Sequence, residues 1–265
     1  MSDHGKKFYE DYFNDSRFTS TIWDAGNRYK RWLIKNMAGE LKGRRALDIG
    51  CGVGDVLFDL AMAGAEAYGI DYSSNSIKFA GDYLKSKNLK ATLKVGDAQN
   101  LPFGENFFDV VICSEVLEHI PDDSRAVKEM RRVLKKYGIA IITAPSGGKA
   151  VKEWGHIRHY SDEKMRKLLE DNGFRIIDIK YGARVYNWLW LYPIKGSFYF
   201  LNEIYSRIFN SKKHMYERKI YRDVVLPFVE NVIRPIDIYL SKNPTWFLQF
   251  VDDKCGITVK AEKMD

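Results

Sequence analysis

The stretch that decides the fold is Arg44–Val56, which reads RRALDIGCGVGDV. Its apolar part, Ala46–Ile49, has the alternation and β-branching of a buried strand. Glycines at positions 50, 52 and 54 then break the strand, and apolar residues recur at helical spacing from Val56 onward. A strand that turns on glycines into a helix presents backbone N–H groups at the helix start, where a ligand can approach the main chain. The stretch therefore predicts a strand–turn–helix unit that binds a ligand.

The spacing of these glycines differs from the dinucleotide fingerprint. That fingerprint is G-x-G-x-x-G, whereas Asp55 stands where the third glycine would fall. The observed G-x-G-x-G, with Asp48 two residues before it, resembles the first motif of the class I S-adenosylmethionine (SAM)-dependent methyltransferases. The resemblance implies that Asp48, Gly50, Cys51 and Gly52 belong to the cofactor site. A nicotinamide-dependent oxidoreductase stays open as an alternative with the same fold plan.

Composition is that of an ordinary globular protein, with 265 residues, 45% apolar and 29% charged. A net charge of +7 permits an acidic partner, anionic lipid or nucleic acid, without choosing among them. The three cysteines are far apart, without C-x-x-C spacing, and neither a signal-peptide core nor an 18-residue apolar run is present. We therefore expect a cytoplasmic protein, with association to a membrane surface left open.

Strand and helix patterns alternate along most of the chain. Strands are predicted at 45–49, 66–71, 91–95, 108–113, 138–143, 175–181 and 256–261. Helices are predicted at 6–13, 22–37, 54–63, 74–86, 123–135 and 162–172. This alternation predicts an α/β fold with a seven-stranded, mostly parallel sheet and helices on both faces. The family resemblance implies that the last strand runs antiparallel.

Three regions follow from these patterns. Residues 1–43 are predicted to be N-terminal helices covering the cofactor site. Residues 44–182 together with 256–265 are predicted to be the SAM-binding, Rossmann-like domain. The long segment 183–255 is too long for a loop and rich in aromatics, and we interpret it as a helical cap inserted between strands 6 and 7.

Three later segments extend the resemblance. They are GIDYS at the end of strand 2, GDAQNLPF after strand 3, and ICSEVLEH at the end of strand 4. In the family, the acid after strand 2 accepts from the ribose hydroxyls, its neighbour flanks adenine, and the acid after strand 3 accepts from the adenine amino group. The resemblance implies SAM as cofactor, S-adenosylhomocysteine as product, and further cofactor contacts from Asp71, Tyr72, Asp97, Ala98, Ser114 and Glu115.

Acid–base candidates occur in the segment after strand 4. Glu115, Glu118 and His119 have i, i+3 and i+4 spacing, which places them on one face of a helical turn. Ubiquinone-type O-methyltransferases have a similar E-x-x-E-H, there associated with a divalent cation, whereas many relatives without metal carry EVLEH. We predict no metal at these three residues and keep His119 as a candidate base.

A second cluster, WGHIRHYS, begins at Trp154 after strand 5. His156 and His159 are candidate bases, and Arg158 and Tyr160 are candidate substrate contacts. The alternative is a structural segment leading into the next helix, with Ser161 as its N-cap. In the cap, Trp188 and Trp190 are candidate substrate contacts, although such aromatics also build ordinary cores.

These observations predict a SAM-dependent methyltransferase acting on a small or lipid-like acceptor, of quinone, prenylated or phospholipid type. A methyltransferase of protein or nucleic acid, and a non-catalytic SAM-binding module at a membrane, are the alternatives. Nucleic acid is disfavoured because no N/D-P-P-aromatic motif follows strand 4. The methylated atom and the oligomeric state are left open.

Overall fold

The computed structural model describes residues 25–146, 156–183 and 254–265, and the structural statements below refer to these ranges. Contacts divide the chain into two compact units. The unit that contains the sheet comprises Met1–Trp23, Lys30–Gly182 and Lys254–Asp265. The predicted helix at 6–13, Trp154, and the cap residues 184–253 with Trp188 and Trp190 lie outside the described residues. No helix within the described ranges is long and apolar enough to cross a membrane.

Strands and helices alternate as the sequence predicts. The helices are α1 (Ala25–Ala38), α2 (Asp55–Met62), α3 (Ser74–Ser86), α4 (Asp123–Val133) and α5 (Asp162–Glu170), with a short 3-10 turn at Leu117–His119. The strands are β1 (Arg45–Ile49), β2 (Glu66–Asp71), β3 (Thr92–Val95), β4 (Phe108–Ser114), β5 (Leu134–Pro145), β6 (Phe174–Ala183) and β7 (Lys254–Lys263).

The seven strands form one sheet in the order β3-β2-β1-β4-β5-β7-β6. β1 pairs in parallel with β2 and β4, whereas β7 pairs antiparallel with β5. The predicted sheet and its antiparallel last strand are therefore confirmed. The strand order reverses between β1 and β4, and in open α/β sheets the crevice at such a point, beyond the carboxyl ends of the strands, receives the ligand.

The core lies on both faces of the central strands. Leu47, Phe108 and Val111 are fully buried, as expected for parallel strands covered on both faces. α4 contributes four buried apolar residues, Ala126, Val127, Met130 and Val133, at helical spacing. Burial of each large apolar side chain contributes about 1.5–3 kcal/mol. This packing fixes the strand ends that carry the site.

The fifth strand is longer than the sequence predicts. β5 begins at Leu134 rather than Gly138, and α4 correspondingly ends at Val133 rather than Lys135. Tyr137 has a φ of 60°, and a Cβ added to Gly138 would lie 2.8 Å from the Lys135 carbonyl oxygen. The pairing with β4 also shifts register between Phe108 and Val110. The first residues of β5 lack the alternating pattern of a strand. The sequence therefore did not predict this part of β5.

Candidate cofactor and acceptor site

The glycine turn after β1 is fixed by its neighbours. The N–H groups of Gly50 and Cys51 both donate to the Ile70 carbonyl, at 2.8 and 3.0 Å. Gly50 has a φ of 69°, and a Cβ there would lie 2.4 Å from Cγ2 of Val116. Gly54, with a φ of 87°, caps the start of α2. The turn therefore needs glycine at position 50 for its conformation and for the close approach of the segment after β4.

Asp71 stands at the end of β2, beside that turn. One carboxylate oxygen accepts from the Gly52 N–H at 2.9 Å, and the other accepts from the Ser73 N–H at 2.8 Å. Burial raises the pKa of Asp71, and these two backbone hydrogen bonds oppose that rise. The side chain is only half-buried, so a ligand can reach it from the carboxyl edge of the sheet. Its chemistry fits a neighbouring pair of hydroxyl groups.

Two other predicted cofactor residues near the turn, Asp48 and Cys51, are more deeply buried than Asp71. Asp48 lies within β1 and is 2% exposed, and burial together with the nearby Asp71 raises its pKa well above the ordinary value. Cys51 is also buried, which raises the pKa of its thiol. Tyr72 is half-buried beside Asp71. Direct cofactor contacts from these three side chains stay predictions.

The segment after β3 is held in place by α4. Asp97 accepts from the Gln99 backbone N–H at 2.8 Å. Glu129 accepts from the Leu101 N–H at 2.8 Å, and Arg132 donates to the Leu101 carbonyl at 3.0 Å. Hydrogen bonding to Arg132 also lowers the pKa of Glu129. α4 therefore fixes the loop that carries Asp97 and the half-buried Ala98, whose adenine contacts stay predictions.

A chain of polar side chains crosses the ends of β4 and β5. Thr143, which is buried, donates to the Glu115 carboxylate at 2.9 Å, and its oxygen lies 2.9 Å from the Ser114 hydroxyl. Lys30 of α1 lies 3.6 Å from the same carboxylate. Glu115 has a φ of 57°, a strained conformation for a residue with a side chain. Glu115 is therefore held at the carboxyl edge from two sides.

Three histidines and a glutamate come together next to this edge. The rings of His119 and His156 are 4.8 Å apart, and those of His156 and His159 are 5.8 Å apart. Glu118 is 0% exposed, with its carboxylate 3.9 Å from Nε2 of His119. The Ile157 N–H donates to the Glu118 carbonyl at 2.9 Å. This backbone bond anchors the second histidine segment to the turn after β4.

The electrostatics of this cluster favour neutral forms. Burial, and then the nearby Glu115, raise the pKa of Glu118 well above its ordinary value. Burial, and then His159, lower the pKa of His156. Both Glu118 carboxyl oxygens and Nδ1 of His156 are buried and have no hydrogen-bond partner within the described ranges. An uncharged His156 can accept a proton at neutral pH.

The predicted contacts Arg158 and Tyr160 are tied to the start of α4. Tyr160, 3% exposed, donates to the Asp123 carboxylate at 2.8 Å, and Arg158 lies 2.6 Å from that carboxylate. Ser161 accepts from the Lys164 N–H at 3.2 Å, so the predicted N-cap is confirmed. Asp123 therefore fixes the loop that carries His156 and His159. Acceptor contacts from Arg158 and Tyr160 stay predictions.

The structure brings most predicted site residues to one edge, but with a changed grouping. Glu118 and His119 meet His156 as a group of potential ligand atoms, whereas Glu115 points to Thr143 and Lys30. The three residues that share one helical face in the sequence, Glu115, Glu118 and His119, therefore do not form one cluster, because Glu115 lies apart from the other two. Sequence reasoning missed Lys30 and Thr143, because neither stands in a motif and each reaches the site only through the fold.

Comparison with known proteins agrees with this architecture. A family model described as a methyltransferase domain matches residues 47–142. The ubiquinone biosynthesis O-methyltransferase of Bordetella avium (strain 197N) is 32% identical over 134 residues, 46% of this chain and 55% of that protein. The demethylmenaquinone methyltransferase of Staphylococcus carnosus (strain TM300) is 39% identical over 117 residues, 43% of this chain and 47% of that protein.

Among solved structures, the magnesium protoporphyrin IX methyltransferase of Synechocystis PCC 6803 with bound SAM is 25% identical, with a TM-score of 0.56. The match covers 68% of this chain and 90% of that chain. Residues 47–142 therefore resemble a methyltransferase domain, and the class I fold that the glycine motif implies is confirmed. The chain spans about half the length of the curated relatives it matches.

Proposed function

We propose that the chain is a SAM-dependent methyltransferase whose acceptor is a small molecule of quinone type. Asp71 carries the cofactor part of this proposal, because its half-buried carboxylate is bonded to the glycine turn of the segment that matches a methyltransferase domain. The domain match favours methyl transfer over the nicotinamide-dependent alternative. The printed names of the ubiquinone and demethylmenaquinone relatives support the acceptor class.

The residues present fit SAM at the carboxyl edge. Asp71 would accept from the ribose hydroxyls, and the loop held by Glu129 and Arg132 would present Asp97 to the adenine. Glu115 and Lys30 carry opposite charges beside the turn. They suit the amino and carboxylate groups of the methionine part of SAM. Bound SAM supplies a methyl group already activated by a sulfonium. The protein then has to orient the acceptor, exclude water and remove a proton where the acceptor carries one.

The acceptor belongs next to the histidine cluster. Val116 packs against Gly50, so the segment that continues to Glu118 and His119 starts at the glycine turn. The second histidine segment is bonded to this turn through Ile157. Neutral forms of Glu118 and His156 suit an uncharged aromatic ring better than an ion, because burying a charged acceptor there would cost more. Cap residues 183–255 stay a predicted cover for this acceptor.

Calorimetry with S-adenosylhomocysteine tests the cofactor site. Replacing Asp71 with Ala removes charge-assisted hydrogen bonds, and we expect the Kd to rise by about 10- to 150-fold, equivalent to about 1.5–3 kcal/mol. Asp82→Ala is the matched control, because Asp82 is an exposed acid on α3. Equal affinity of Asp71→Ala and the unmodified protein would refute the assignment. Transfer of a labelled methyl group from SAM to a quinol in a cell extract, identified by mass spectrometry, tests the acceptor class.

A further inference from the structure

The hydroxyl group of Thr143, near the end of β5, joins two residues at the end of β4. It donates to Oε1 of Glu115 at 2.9 Å, and its oxygen lies 2.9 Å from the Ser114 hydroxyl. A hydroxyl group has one hydrogen to donate. Because the hydrogen of Thr143 goes to Glu115, Ser114 is the donor in the second bond. The hydrogen bonds therefore run in one direction, from Ser114 through Thr143 to the Glu115 carboxylate.

The same threonine also holds the backbone of Glu115. The Glu115 N–H donates to the Thr143 carbonyl at 3.0 Å. Glu115 has a φ of 57°, in the left-handed region that residues with a side chain rarely adopt. Such strain persists where the surrounding structure fixes it, and it clusters at ligand sites. One residue therefore fixes Glu115 through both its main chain and its carboxylate.

One oxygen of the Glu115 carboxylate is left for a ligand. Thr143 and Lys30 both contact Oε1, the lysine at 3.6 Å, and neither of these contacts uses Oε2. The Glu115 side chain is 37% exposed, so a ligand can reach it. The next residue, Val116, packs against Gly50 of the glycine turn. Thr143 therefore holds a charged acceptor beside the turn with one oxygen accessible.

We propose that Thr143 is a positioning residue for the cofactor, because it directs Oε2 of Glu115 to the α-amino group of SAM. This inference rests on the proposed methyltransferase function and adds a residue that stands in no motif. A hydrogen bond from an ammonium to a carboxylate is strong, and its strength depends on alignment. A carboxylate held in one orientation makes the site selective for nucleosides that carry an amino-acid group. Thr143 acts through Glu115 and does not contact the ligand.

Two nucleosides test this selectivity without turnover. S-adenosylhomocysteine carries the amino-acid group, whereas 5′-methylthioadenosine has the same nucleoside and sulfur without that group. Calorimetry on the unmodified protein should show that S-adenosylhomocysteine binds at least about tenfold more tightly. Equal affinities for the two ligands would overturn this inference and leave the methyltransferase function standing. Failure to bind S-adenosylhomocysteine at all would instead overturn the proposed function.

Variants of Thr143 separate positioning from packing. Thr143→Val keeps the shape of the side chain and removes its hydroxyl group. We expect the affinity for S-adenosylhomocysteine to fall about three- to tenfold and that for 5′-methylthioadenosine to stay unchanged. Thr143→Ser, which keeps the hydroxyl group, should restore the preference. A residue needed only for packing would change both affinities together or neither of them, and either result overturns the inference.

Thr258→Val is the matched control. Thr258 is also buried, and it lies opposite Thr143 in the pairing of β5 with β7. Within the described ranges the Glu115 carboxylate is bonded to Thr143 and not to Thr258, so this variant should keep the full preference. Glu115→Gln tests the acceptor even if Thr143→Val does not fold, and it should reduce the preference by about tenfold or more. A Glu115→Gln protein with an unchanged preference would overturn the inference.

Discussion

The cofactor end and the acceptor end of the site are built in opposite ways. Around Gly50 and Asp71 the backbone N–H groups of the turn donate to the Ile70 carbonyl and to the Asp71 carboxylate at 2.8–3.0 Å, so the surface exists before a ligand arrives. At the acceptor end both carboxyl oxygens of Glu118 and Nδ1 of His156 are buried and have no hydrogen-bond partner within the described ranges. The first region is preorganised, whereas the second leaves buried polar atoms unsatisfied within the described residues. Each prediction below tests one side of this contrast.

The largest effect is expected at the preorganised end. Gly50→Ala forces a side chain onto a φ of 69° and into contact with Val116. Left-handed strain and overpacking together should lower the free energy of unfolding by about 2–4 kcal/mol and abolish S-adenosylhomocysteine binding. Urea unfolding followed by circular dichroism measures the first quantity. Gly104→Ala is the control, because a Cβ there meets no atom within 4 Å. A Gly50→Ala protein as stable as this control would contradict the account of the turn.

A smaller effect is expected from pH at the acceptor end. Burial, and then His159, lower the pKa of His156 below its ordinary 6.5, against the opposing charge of Glu115. Glu118 and His119 also face this ring. Because the unfolded chain takes up the proton more readily, the free energy of unfolding should decrease as pH falls below about 6.5. The NMR titration of the imidazole, assigned with His156→Gln, should give a midpoint below 6.5; a midpoint above it would contradict the buried, neutral ring.

A weak effect is expected from the ion pair at the edge. Lys30 and Glu115 are 3.6 Å apart and partly exposed, so Lys30→Gln should change the free energy of unfolding by less than about 1 kcal/mol. Binding of S-adenosylhomocysteine should weaken more than stability does, because the pair is placed against the turn. Lys85→Gln, on the exposed side of α3, is the matched control. Identical affinity of the two variants would separate Lys30 from the cofactor site.

No effect is expected from chelation. Methyl transfer should be unchanged by a chelator, because the spacing of Glu118, His119 and His156 suits hydrogen bonds better than metal coordination. The comparison is made on one preparation before and after dialysis against the chelator. Activity lost on chelation and restored by magnesium or zinc would show that a cation completes the acceptor end.

The sequence predicted the preorganised region well because its signals are local. The glycine spacing, the acids at successive strand ends and the N-cap Ser161 each depend on residues a few positions apart. The grouping at the acceptor end was predicted only in part. His119 and His156 are separated by a whole helix and strand, so only the fold reveals that His156, and not Glu115, joins Glu118. The start of β5 was missed because Tyr137 interrupts its pattern.

Asp123 gives α4 a second influence on the site. One carboxylate in the first turn of this helix holds both Arg158 and Tyr160, and therefore the loop on which His156 is carried. The position of the histidine therefore depends on this helix as well as on the backbone bonds of Ile157 to Glu118 and of Tyr160 to Pro145 at the end of β5. Substitutions in the buried face of α4, at Val127 or Met130, would shift the helix. Because Asp123 holds Arg158 and Tyr160, the loop that carries His156 would shift with it. Acceptor preference could then evolve through residues that never touch the acceptor, while the cofactor turn stays unchanged.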